Sequence, residues 1–135
     1  MQADWLLGAA YRVVGQPDEA ERHLHEALER CRRINLVEIE ADILIDLARL
    51  RAATGAPEEA QRFAVEALLI TERSGYVLQG ADAHLELAQL ARARRDLPAA
   101  RTHAQQALTL ATCDGPPAHT YAAAHAEATA LLHSL

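Results

Sequence analysis

One helical phrase occurs three times in this chain: GQPDEAERHLHEAL at 15–28, GAPEEAQRFAVEAL at 55–68 and RDLPAARTHAQQAL at 95–108. Ala20, Ala60 and Ala100 lie forty residues apart, as do Ala27, Ala67, Ala107 and Leu28, Leu68, Leu108. A period in this range is the mark of stacked supersecondary units, each too small to bury its own apolar face. The fold is therefore constrained to a quasi-linear array before any single element is placed.

Each period divides into two amphipathic helices. In NLVEIEADILIDLARLRAATG, at 35–55, Ile43, Leu44, Leu47, Ala48 and Leu50 recur at three- and four-residue spacing and define an apolar face. Gly55 can stop that helix in a left-handed conformation. Pro57 suits the first turn of the next, with Glu58 and Glu59 complementing its dipole. That helix continues through Ala60, Phe63, Ala64, Ala67, Leu68 and Ile70 until Gly75 ends it. Gly15, Pro17, Asp18 and Glu19 punctuate the first repeat in the same way, whereas the third has Arg95 in place of the glycine and Pro98 one position later. This predicts helices at about 2–14, 17–33, 36–53, 57–74, 77–94 and 97–112. A seventh, at about 118–134, follows the CDGPP break, and its AAAHAEATALL echoes ADAHLELAQLA at 81–91. Repeats about 1–35, 36–75 and 76–115 plus a capping helix make one domain over 1–135.

The first repeat carries Trp5, Leu7-Gly8, Tyr11, Ala20, Leu24 and Ala27 in the order of the tetratricopeptide signature, which the chain resembles over essentially its whole length. The second keeps Leu47-Ala48, Gly55, Ala60 and Ala67, and the third Leu87-Ala88, Ala100 and Ala107; the tyrosine is replaced by Arg51 and Ala91, and the family's closing proline is absent. A forty-residue period also suits HEAT-type repeats. Small residues at Gly8/Ala48/Ala88 and Ala20/Ala60/Ala100, which let paired helices approach closely, favour the tetratricopeptide reading. The resemblance implies an all-α right-handed superhelix of three helix-turn-helix repeats plus a C-terminal capping helix. It also implies a protein-interaction module that holds a peptide or protein segment across the first helices of successive repeats.

Alanine- and arginine-rich repeats of this period are similar to the C-terminal sensor arrays of bacterial STAND-type signalling ATPases and regulators. That likeness implies a fragment of a longer cytoplasmic signalling protein. A ligand-sensing regulatory segment of such a protein is the alternative function, and a self-associating scaffold the second alternative. The carboxylate-gripping variety of the family uses lysines and asparagines, but this chain has no lysine and only Asn35, placed in an inter-repeat turn.

Charge and chemistry narrow the class further. A net charge of −6 argues against nucleic acid as the partner, since phosphate binding needs concentrated positive charge. No run reaches the roughly 18 apolar residues of a membrane span. The sequence has no phosphate loop, GxSxG, HExxH or CxxC motif, so no enzyme activity, cofactor or metal is expected. His23 and His25 point to different sides of a helix, His84 and His125 recur as repeat positions, and all are expected to be partly exposed. Cys31 and Cys113 are expected to be separate buried thiols.

The expected binding groove has three stripes. Asp42 and Asp82, with Asp46 and Glu86 a turn further on and Glu127 beyond, form an acidic ladder of carboxylates four residues apart. Arg12, Arg49 and Arg92 form a broken basic ladder nearer the helix ends, and Gln89 is also expected to line the groove. Trp5, Ile45 and Leu85 supply an apolar stripe. A shortened first helix leaves Leu6, Leu7 and Ala10 poorly covered, which predicts weak self-association through the N-terminal open end.

Overall fold

The computed structural model describes residues 16–112 and 122–135. Six helices account for nearly all of them: α1 (Pro17–Ile34), α2 (Val37–Ala53), α3 (Pro57–Ser74), α4 (Val77–Ala93), α5 (Leu97–Thr112) and α6 (Ala122–Ser134). Five of the expected helices lie within a residue of these bounds, and α6 falls inside the expected capping helix. The helix expected at 2–14 lies outside the described residues, with Trp5, Tyr11 and Arg12.

The turns repeat because the sequence repeats. Asn35 and Gly75, forty residues apart, close α1 and α3 with φ of 59° and 74°. Leu36 N–H then donates to Cys31 O, and Tyr76 N–H to Thr71 O, so each turn satisfies the last carbonyls of its helix. Gly55 and Arg95 play the matching part after α2 and α4, with φ of 81° and 65°. Ala56 N–H reaches Arg51 O at 2.8 Å and Asp96 N–H reaches Ala91 O at 2.9 Å, the same bond one repeat apart. The arginine in place of glycine therefore does not change the turn. Asp96 also accepts from Ala99 N–H, helping to open α5.

Consecutive helices pack as antiparallel neighbours, and α2 also touches α4, as α4 touches α6. The array thus has two layers, α2–α4–α6 and α1–α3–α5. Direct contact along the first layer, against sparse contact along the second, means that the first is the more closely spaced. The array curves towards it, so α2, α4 and α6 line the inner face.

This explains the burial pattern. Helices α1, α3 and α5 have one wet side and bury a single stripe, such as Ala60, Ala64, Ala67 and Ile70 in α3. Helices α2 and α4 are covered by neighbours on several sides and bury residues nearly all round, Ala41 and Ile43 to Ala48 in α2. Ala20, Ala60 and Ala100 are fully buried where the layers meet, as the small-residue pattern requires. Cys31 is fully buried, and burial pushes its thiol pKa up, in keeping with a small hydrophobe. Among the described residues no helix is long and apolar enough to cross a membrane.

Candidate functional site

The inner face of α2 and α4 carries the acidic ladder, but not as two separate rows of charge. Arg49, expected in a basic row of its own, folds onto the carboxylates. Its Nε donates to Glu86 Oε1 of α4 at 3.1 Å and its Nη1 to Asp46 Oδ1 at 3.4 Å, while Nη2 lies 3.8 Å from Asp82 Oδ1. One guanidinium thus joins α2 to α4 through three carboxylates. Asp46 is almost completely buried, and Asp82 and Glu86 keep only small fractions of exposed side chain. Burial works against the charge of Arg49, yet Glu86, Asp82 and Asp46 outweigh it and raise its pKa.

Asp42 stands one turn earlier. Burial is the main reason that its pKa rises to about 6; Gln79 opposes this with a hydrogen bond, and Asp46, Glu38 and Asp82 add repulsion. Gln79 Nε2 also donates to Glu38 Oε1 at 3.1 Å, a second link between α2 and α4. Among the described residues the inner face is therefore strongly negative, with Arg49 holding its far end and no cation acting on Asp42.

Among the described residues, the apolar stripe does not surface on this face. Ile45 is 2% and Leu85 1% exposed. Ile45 belongs to the core around α1, α2 and α3, and Leu85 packs with Ala124 and Ala128 of α6. Close stacking of the inner-layer helices covers both residues, so neither offers an apolar anchor to a ligand. Gln89 is half-buried on α4, while Arg92 and Glu127 are exposed. Trp5 and Arg12 lie outside the described residues, as do Leu6, Leu7 and Ala10.

One histidine expectation is also corrected. His84 is 5% exposed, and its Nδ1 lies 3.0 Å from Nδ1 of His103 on α5. Desolvation first, then the neighbouring ring, pushes the His84 pKa down to about 4; desolvation and Arg94 lower that of His103. Both rings are neutral at pH 7. A signal for this pair was present in the sequence: forty residues earlier the same positions hold Leu44 and Phe63, which belong to one core cluster. Polar residues at two mutually facing core positions must satisfy each other. No group of three or more metal-ligating side chains occurs among the described residues.

An all-α array of helical hairpins with a charged inner face defines a class, the helical-repeat interaction modules. The chain belongs to the tetratricopeptide repeat family, whose model matches residues 1–73. Repeats of this family generally mediate protein–protein interaction and are typically non-catalytic. No curated protein matches the sequence.

Proposed function

We propose that this chain is a protein-interaction module that receives a basic segment of a partner along the inner face of α2 and α4. The supporting observation is Asp42. Its carboxylate is half-buried beside Glu38, Asp46 and Asp82, and among the described residues it has Gln79 but no cation beside it. A lysine or arginine from a partner would supply the missing charge. The groove residues in this reading are Asp42, Asp46, Asp82, Glu86, Gln89 and Arg92, with Trp5 and Arg12 extending it towards the N-terminus. Arg49 neutralises part of the surface and sets where the cation sits. Ile45 and Leu85 act only by packing beneath the groove, so specificity rests on charge and register more than on apolar anchors. The alanine- and arginine-rich repeats further support a cytoplasmic segment of a bacterial signalling protein as the setting.

The test compares two labelled peptides of one length, one rich in arginine and one in glutamate, by fluorescence anisotropy. The basic peptide should bind with affinity that falls steeply with salt. Asp42→Asn with Asp82→Asn should weaken it by about threefold to thirtyfold and flatten the salt dependence. Equal binding of both peptides, or unchanged binding by a folded double variant, would sink the reading.

A further inference from the structure

A second concavity lies on the other side of α4, away from Asp82 and Glu86. It is a cleft of about 300 Å³ between the end of α3, the start of α4 and the C-terminal part of α5. Leu68, Thr71, Tyr76, Gly80, His84 and Leu110 form its walls.

The repeat provides its own control for this feature. Gly80 stands where the previous repeat has Glu40, and His84 where it has Leu44. At the earlier position Arg32 bridges Glu40 and Glu66, each at 3.2 Å, and covers the space. At the later one these three become Glu72, Gly80 and Gln106, so neither the covering side chain nor the ion pairs can form. Gly80 opens the space directly, since a Cβ there would lie 3.2 Å from Leu110 Cδ1 and 3.5 Å from Thr71 Oγ1. The glycine's small size, rather than a special backbone angle, is what this position uses.

The walls combine apolar area with two buried polar residues, His84 and Thr71. His84 is 95% removed from solvent, as its 5% exposure shows, and its Nδ1 is taken by His103. Its Nε2 has no partner among the described residues, and the ring lines the cleft. A concave, largely apolar site with a few placed polar groups, one of them a perturbed histidine, is the pattern of a small-molecule site. Thr71 contributes little polarity, because its hydroxyl already donates to Leu68 O at 2.9 Å.

We propose that this cleft binds a small apolar molecule carrying one hydroxyl, such as a phenol or a branched alcohol, with the hydroxyl on Nε2 of His84. The two facing Nδ1 atoms require one ring to donate and the other to accept. Nε2 of His84 is then a donor in one arrangement and an acceptor in the other. A hydroxyl satisfies either. The neutral rings and the exposed Glu72 at the rim disfavour an anionic head group. The site is independent of the inner-face reading, and each can fail without the other.

The experiment is an amide NMR titration of the whole chain with 4-ethylphenol and, separately, ethylbenzene. The phenol should saturably shift Thr71, Gly80, His84 and Leu110, and bind about threefold to tenfold more tightly than the hydrocarbon. His84→Leu, which installs the residue of the previous repeat, should abolish that difference while the hydrocarbon still binds. Gly80→Glu should block both ligands; if it fails to fold, His84→Leu is decisive alone. Absence of saturable shifts, shifts centred elsewhere, or a preference for the phenol that survives His84→Leu would each overturn the proposal.

Discussion

Arg49 of α2 donates from Nε to Oε1 of Glu86 on α4 at 3.1 Å, joining two helices whose residues are 37 apart in the chain. The same guanidinium holds Asp46 and faces Asp82, so one side chain neutralises charge contributed by two repeats.

Loss of that side chain should therefore be costly. Arg49→Ala takes a hydrogen-bonded cation away from the nearly buried Asp46, and removing one partner of a buried pair is far worse than never having the pair. Because Arg49 keeps a third of its side chain exposed, the expected loss is about 1–3 kcal/mol rather than more. Urea denaturation at low and high salt measures it, and the loss should shrink at high salt as repulsion among the carboxylates is screened. A variant as stable as the parent would show that the clamp is ornamental.

Asp42 predicts the opposite sign. Folded, it titrates near 6 instead of at its ordinary 3.8. Between those values the folded state holds the extra proton, so its contribution to stability is present at low pH and lost as pH rises past 6. Asp42→Asn should then stabilise at pH 7 by about 1 kcal/mol, allowing for the solvent that still reaches the carboxylate. The gain should disappear below about pH 4. Comparing thermal melts of the two proteins across pH cancels the opposing slope of His84, which binds its proton only as pH falls towards 4. A pH-independent difference would remove the electrostatic account.

Two equivalent turns make a matched pair. Gly55 takes φ 81° with nothing within 4 Å of a built Cβ, so Gly55→Ala should lose about 1 kcal/mol through backbone strain alone. Arg95 takes φ 65° with a side chain already in place, and Arg95→Gly should gain about 0.5–1 kcal/mol. Opposite shifts in melting temperature are expected; shifts of the same sign would show that the turns are not equivalent.

Ala60 is fully buried between the layers, while Ala52 is exposed. Ala60→Leu should lose about 1–3 kcal/mol by overpacking and Ala52→Leu much less. Equal melting temperatures would place Ala60 away from the contact.

What the sequence determined by itself is everything that depends on neighbours along the chain. The forty-residue period, the glycine stops, the proline starts and the small-residue positions all express backbone preference or helical spacing. They located five helices to within a residue. Only the tertiary structure decided which groups meet across helices. Ile45 and Leu85 look like groove residues by their position on a helix wheel, yet the spacing between stacked helices covers them. Arg49 looks like a member of a basic row, yet its reach carries it to Glu86. At Gly80, helix propensity alone expects alanine to stabilise, but a methyl group there presses on Leu110 across the helix contact, so the gain is offset. His84 and His103 stand 19 residues apart on different helices; the repeat marks both as apolar positions, but only the packing brings their rings together. Such contacts depend on the distance and rotation between packed helices, which arise from the sum of all side-chain volumes at the interface and not from any local pattern.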